Sequence, residues 1–409
     1  MSMLSVEEAR ARILEHVAPL GTERVALDAA ARRVLAADIT SREPIPPFDN
    51  SAMDGYALRA EDISAASAES PVSLRLVGEV AAGAEQLPTL SEGEALRIFT
   101  GAPVPPSANT VIEQEAVSAD DGQVTLVAPV RPGNHIRPKG EDITLGSVVL
   151  RRGSELGPAE IGVLATLGYA AVEVSRQPRV AILGTGDELV PPGEPLRPGQ
   201  IRDSNAYYLA AAVRRAGGIP LALGIVGDDE PALRERLTQA ADADLLLTSG
   251  GVSVGEHDLV KRVLSELGSI AFWRVRVRPG KPLAFGLLGS TPVLGLPGNP
   301  VSAAVTFELF GRPAICRMLG ATSIERPLIS ARLTGATLHR TDRRQYLRCR
   351  LATAEGVLMA HPAGNQGSHI TTSLVGASGL LIVYEGEGAV HDGDTVPVLL
   401  LNDGMPWGV

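Results

Sequence analysis

The chain has 409 residues, room for several domains at roughly 100–200 residues each, and its 44% hydrophobic content supports sizeable cores and excludes global disorder. A formal net charge of −10 and a pI near 5.3 exclude a broad nucleic-acid or anionic-membrane surface, though not a local basic pocket. The two cysteines, Cys316 and Cys349, stand in no metal-ligand spacing and make no disulfide framework, which points to a reducing cytoplasm.

The opening "MSMLSVEEARARILEHV" has the pattern of an amphipathic helix, with Ser5 and Glu8 spaced as a capping box. It lacks the basic-then-apolar order of a signal peptide. No apolar run approaches the ~20 residues that span a bilayer. Helical character is predicted through the first forty residues, ending near "VLAADITS". From "EPIPPFDN" onward the chain turns to short β-rich pieces such as "VSLRLVGEV" and "GQVTLVAPV", separated by Gly and Pro. "GPAEIGVLATLGY" then returns to a helical pattern, with Pro158 suited to an early helical position. The expected organisation is a helical domain from residues 1–45 and 146–176, interrupted by a β-rich module at 46–145.

Residues 177–327 alternate strands and helices. "PRVAILGTGDEL", "IPLALGIVGDD", "ADLLLTSGG" and "TPVLGLPG" read as strand-then-turn. "SNAYYLAAAVRRAGG", capped by Ser204 or Asn205, reads as a helix, as do "PALRERLTQAA", "HDLVKRVLSEL" and "PVSAAVTFELF". This grammar predicts a mostly parallel sheet covered on both faces, with ligands at the carboxyl ends of its strands. Residues 328–409 become β-like again and predict a small all-β domain. The fold class is therefore α/β and multidomain, with a β-rich insertion and a C-terminal β-domain.

Candidate chemistry sits mostly at the turns. In "SAMDGYAL", Asp54-Gly55 reads either as a hairpin turn pair or as a carboxylate held out for chemistry. In "LLLTSGGVSVGEHD", Thr248, Ser249, Gly250, Gly251 and Ser253 offer hydroxyls and backbone N–H groups to an oxyanion. In "LPGNPVSA", Asn299 is placed as an N-cap ahead of Pro300. Neither turn matches a dinucleotide-binding or P-loop pattern. Acids recur after the strands: Asp187 and Glu188, Asp228 and Asp229, then Asp258. Such carboxylates suit Mg²⁺, a hard cation, or serve as helix caps and solvated loop acids. In "FWRVRVRPGKPLAFG", Arg274, Arg276 and Arg278 alternate as if on one strand face, with Lys281 in the turn beyond. The row is either an anion site or a charged edge strand.

Seven ordered motifs, "PPFDNSAMDGYAL", "RIFTGAPVP", "GEDI", "TGDEL", "TSGGVSVGEHD", "RPGKPLAFG" and "LPGNPVSA", together resemble the molybdopterin molybdenumtransferase family along essentially the whole chain. The resemblance implies an L-shaped homodimer of multidomain subunits with the active site between chains. It implies Mg²⁺-dependent cleavage of adenylated molybdopterin to release AMP, and transfer of molybdate to the dithiolene. By motif position, Asp54, Thr100 and Asp142 are implied functional residues of the N-terminal region. Glu188, Asp228 and Asp258 are implied for the Mg²⁺ and phosphate region. Thr248, Ser249, Gly250, Gly251, Ser253, Arg274, Lys281, Pro297 and Asn299 are implied to bind substrate, and Arg278, Ser302, Arg348 and Ser368 to bind molybdate. Other cofactor-biosynthesis proteins are implied partners; nucleic acid and membrane are not. The family commonly has Lys where this chain has Arg274 and Arg278, and the two cations are not interchangeable where geometry is tight. The rival readings are a weakly catalytic scaffold like the related module of gephyrin, and a molybdopterin adenylyltransferase.

Overall fold

The computed structural model describes residues 3–227, 229–250 and 259–401. The chain divides into two compact units, one of Asp38–Arg151 with Gly162–Tyr169 and one of Met1–Ala37, Arg152–Ile161 and Ala170–Val409. Among the described residues no helix is long and apolar enough to cross a membrane.

The smaller unit is built on a six-stranded sheet. Its strands follow the order Thr110–Glu113, Gly55–Leu58, Glu94–Ile98, Val72–Val80, Gln123–Leu126 and Ser118–Asp120. Along Gly55–Leu58, side chains alternate between two apolar clusters, Tyr56 and Leu58 in one and Ala57 in the other, because successive strand residues point to opposite faces. Asp54-Gly55 is not the hairpin turn its sequence suggests. Gly55 opens the strand and pairs with Glu113 and Ile98, and a Cβ there would collide with the Ile112 carbonyl. The glycine permits close backbone approach within a sheet.

The larger unit carries the βα sheet. Its strands are β1 (Arg179–Thr185), β2 (Ile219–Val226), β3 (Leu245–Ser249), β4 (Gly268–Arg274), β5 (Pro282–Leu288) and β6 (Thr291–Leu296). They lie in the order β2-β1-β3-β6-β5-β4. The first four are parallel, and β5 and β4 add an antiparallel edge. Val180 and Ile182 of β1 join one core with Leu209 and Val213 of the helix Asn205–Arg215 and Val301 and Val305 of the helix Pro300–Thr306. Ala181 and Leu183 join the opposite core with Leu233, Leu237, Val263 and Leu264 of the helices Glu230–Gln239 and Leu259–Leu267. Burial on both faces explains why β1 reads as a continuous apolar run.

Helical structure near the N-terminus is shorter than its sequence suggests. The Ser5–Glu8 capping box forms and starts the helix Val6–Leu14, but Pro19 and Gly21 interrupt the run. Thr22–Ala26 is a strand paired with Ala171–Ser175. Asp229 caps its helix by accepting from Ala232 N. The arginine row also differs from expectation. Arg274, Arg276 and Arg278 are exposed while Val275 and Val277 are buried, but they do not share one strand. β4 ends at Arg274, and Val277–Arg278 pairs with Arg344 and Gln345 of the C-terminal sheet.

In that C-terminal sheet, the strand Arg344–Ala354 pairs with both Val357–Pro362 and Gly379–Val383. Further pairings through Leu328–Leu333 and Thr395–Leu400 close the five strands into a ring. Leu347, Cys349 and Leu351 fill the shared core with Leu333, Leu381 and Val398. The alternate residues Tyr346, Arg348 and Arg350 consequently point away from that core.

Candidate functional site

β1, β3 and β6 are parallel, so their carboxyl ends bring three turns to one sheet edge, the usual ligand side of such folds. One buried amide ties two of these turns together. Asn205 Nδ2 donates to Ser249 Oγ at 2.7 Å and to the Gly298 carbonyl at 2.7 Å. Thr185 Oγ1 donates to the Ser249 carbonyl at 3.3 Å, which brings in β1. Gly250 has φ +97°, and a Cβ on it would stand 2.7 Å from the Thr185 carbonyl oxygen, so the turn requires glycine. The Thr248 hydroxyl is buried beside them, without a hydrogen-bond partner among the described residues. Pro297 is buried at the end of β6.

Neither Ser204 nor Asn205 caps the helix through its side chain. Asp203 Oδ1 accepts from Ala206 N at 3.0 Å, which leaves the Asn205 amide for the turns. Sequence reasoning missed Asn205; the only available signal was the surplus of capping residues in "DSN". Asn299 holds the N-cap position ahead of Pro300, yet it donates from Nδ2 to Ser368 Oγ at 3.0 Å and makes no side-chain cap.

Of the expected Mg²⁺ ligands, Asp228 and Asp258 lie outside the described residues, as do Gly251 and Ser253 of the substrate set. Among the described residues no group of three or more metal-ligating side chains occurs. Glu188 is exposed, with its carboxylate against Gly186 after β1, while Asp187 Oδ1 stands against Gly227 after β2. These two oxygen donors at neighbouring strand ends have the chemistry a hard cation takes.

A cleft of about 640 Å³ lies where the βα sheet domain meets the C-terminal ring. Arg278, Lys281, Ser302, Arg343, Ser368 and His369 line it, and among the described residues no carboxylate does. Gly280 lies against Thr306, so the turn carrying Lys281 packs tightly on the helix Pro300–Thr306, whose first turn presents the 4% exposed Ser302. Ser368 is fixed twice, since its Oγ accepts from Asn299 and its carbonyl accepts from Val301 N at 3.0 Å. Lys281 is one of only three lysines, with Lys139 and Lys261, among 37 basic residues. Arg274 ends β4 and does not line the cleft.

Arg348 does not line it either. The side chain is fully buried, and its guanidinium donates to Ser373, Asn365 and Gly367 beneath the cleft wall. Its strand position predicts a charge near the cleft; the loop folded over it removes that charge from the surface.

In the smaller unit, Asp54 Oδ1 accepts from both the backbone N and the hydroxyl of Thr100, each at 2.7 Å. The backbone N–H first, and the hydroxyl second, hold this exposed carboxyl below its ordinary range. Asp142 is exposed in a loop whose backbone N donates to the Ile45 carbonyl at 3.0 Å.

The sheet edge and a cleft lined by cations and hydroxyls from two domains define a multidomain α/β protein. Residues 4–168 match the family model described as MoeA N-terminal region (domain I and II), 181–317 the probable molybdopterin binding domain, and 330–401 the MoeA C-terminal region (domain IV). The chain is 40% identical to molybdopterin molybdenumtransferase 2 of Mycobacterium tuberculosis, across 94% of this chain and 96% of that one. It is 38% identical to the molybdopterin molybdenumtransferase of Haemophilus influenzae, across 97% and 98%. The crystal structure of a molybdopterin biosynthesis MoeA protein from Pyrococcus horikoshii superposes with TM-score 0.86 at 32% identity, covering 98% of this chain and all of that one. The chain belongs to the molybdopterin molybdenumtransferase family and is an enzyme of molybdenum cofactor biosynthesis.

Proposed function

We propose that the enzyme cleaves adenylated molybdopterin, releases AMP and places molybdate on the dithiolene, with the oxyanion held in the cleft and the nucleotide end of the substrate at the sheet edge. One observation supports this most: Asn299, in the turn after β6, donates to Ser368 of the cleft wall. The same turn is tied through Gly298 and Asn205 to Ser249 of the β3 turn. Phosphate-sized glycine turns and an oxyanion cleft therefore share one hydrogen-bonded connection, the arrangement needed to bring two anions close together.

The residues have separable tasks. Arg278 and Lys281 offset the charge of a tetrahedral dianion, and Ser302 and Ser368 donate hydroxyl hydrogen bonds to its oxygens. Thr248, Ser249 and Gly250 present hydroxyl and backbone donors to phosphate. Glu188, Asp228 and Asp258 would hold Mg²⁺, which when bound neutralises phosphate charge. Asp54, Thr100 and Asp142 contribute within a homodimer whose chains share the site.

The deciding experiment follows AMP release from adenylated molybdopterin with and without molybdate and Mg²⁺. AMP release that depends on both supports the proposal. A protein that binds substrate without releasing AMP is a scaffold, and equal release in EDTA removes the metal from the scheme. Mixing Asp54→Asn with Glu188→Gln subunits tests the shared site, because activity must return in the heterodimer.

A further inference from the structure

Among the described residues of the smaller unit, two that are not glycine have left-handed backbones, Asp121 at φ +45° and His135 at φ +50°. Asp121 is explained by its place. With Gly122 at φ +77° it forms the two-residue turn between the paired Asp120 and Gln123, and such hairpin turns need positive φ at both positions. His135 leads instead straight into Ile136, which pairs with Ser51 in a short antiparallel ladder. A Cβ in this conformation crowds the backbone, so the surrounding structure must hold His135 there.

Its contacts gather around the turn that carries Asp54. The His135 carbonyl accepts from Ala52 N at 2.8 Å, where the chain enters the turn. Where the chain leaves it, Gly55 pairs with Glu113, and the Asp54 carbonyl accepts from Gln114 N at 3.1 Å. A side-chain contact ties these two supports together. His135 Nε2 stands 2.8 Å from Glu113 Oε2, with the side chains 33% and 35% exposed. Asn134 anchors the same junction, donating from Nδ2 to the Val111 carbonyl at 2.9 Å, two residues before Glu113. Between the braced ends, the Asp54 carboxylate accepts from Thr100. An ion pair this exposed adds little to global stability. What it can fix is the direction of one turn.

We infer that His135 is a positioning residue for Asp54: braced against Glu113, it holds residues 52–54 so that the carboxylate keeps one orientation. The functional half of the inference rests on the proposed role of Asp54 in the reaction; the bracing half stands on the contacts alone.

The test uses the full-length enzyme with Glu113→Ala, His135→Asn and the double variant. Asparagine keeps the left-handed backbone at low cost but cannot make the ion pair. The Asp54 carboxyl is titrated by NMR, and AMP release from adenylated molybdopterin is resolved into kcat and KM. In Glu113→Ala the carboxyl should titrate higher, towards the ordinary carboxylate range. Removing a negative charge would by itself lower that value, so a rise reports a loosened turn. In each single variant kcat should fall about two- to fivefold with KM nearly unchanged. The double variant should lose no more than either single one, because both changes remove the same contact. An Asp54 titration that does not rise in Glu113→Ala, or fully additive losses of kcat, would overturn the inference. A rise with unchanged kcat ends its functional half. If Glu113→Ala does not fold, Glu113→Gln removes the charge and keeps the shape, and the same outcomes apply. If Asp54→Asn releases AMP as fast as the native enzyme, the proposed role of Asp54 fails. The Asp54 titration in Glu113→Ala then decides alone: a rise supports the brace and its absence ends it.

Discussion

In the proposed reading the sheet edge and the cleft both hold an anion, and they offer different materials for it. At the edge the work falls to backbone and small side chains: Gly250 against Thr185, Ser249 and Gly298 tied by Asn205. In the cleft it falls to long cations from separate domains, Arg278 and Lys281 on one side and Arg343 on the other, closed by a loop with Arg348 beneath it. A site of backbone donors is tied to the stability of its sheet, because the donors are themselves part of the fold. A site of side-chain cations can lose affinity while its scaffold stands. Binding and stability should therefore separate in the cleft and travel together at the edge.

Gly250→Ala should have the largest effect. A Cβ at φ +97°, 2.7 Å from a carbonyl oxygen, should cost about 3 kcal/mol in urea unfolding and weaken nucleotide binding in parallel. Loss of binding at full stability would break the contrast. Arg278→Ala comes next, with molybdate affinity falling about ten- to hundredfold in calorimetry while the unfolding midpoint stays nearly unchanged. Parallel loss of nucleotide would mean that the cleft and the edge bind as one. Asn205→Ala removes two hydrogen bonds and strands their buried partners, so it should cost about 1–2 kcal/mol in stability and also lower nucleotide affinity.

The smallest effect belongs to Asp54, which lies in the smaller unit. Its folded pKa is depressed, so its hydrogen bonds to Thr100 are intact above the usual carboxylate range and are lost as pH falls through the folded value. Thr100→Val removes the hydroxyl and keeps the backbone N–H. The carboxyl should then titrate higher, though still below an unperturbed aspartate, as NMR would show.

What could be read in advance follows the same division. Short-range chemistry was legible: the Ser5–Glu8 box, the doubly buried run of β1, and the glycine turns after strands. Contacts made by distant segments were not. Asp54-Gly55 has the letters of a turn, and only the neighbouring Ile112 carbonyl reveals why glycine is there. Alternating Arg274, Arg276 and Arg278 look the same whether a strand continues or passes to another sheet, because burial alternates in both cases. The sequence "QYLRC" places a charge on a strand face, and the loop that covers Arg348 comes from residues some twenty positions further on. Arg278, Ser302 and Ser368 meet in one cleft that periodicity alone does not foretell; family resemblance supplied that grouping.

The scarcity of lysine has a practical consequence. Because only Lys139, Lys261 and Lys281 carry an amino group on their side chains, an acylating reagent meets very few targets on this chain besides the N-terminus. One of them opens into the cleft. The rate at which Lys281 is acylated, read by peptide mass, thus reports occupancy of the cleft without any engineered label. In the proposed reading, an anion seated beside that amine shields it from the reagent, so the mass of a single tryptic peptide becomes a gauge of bound oxyanion.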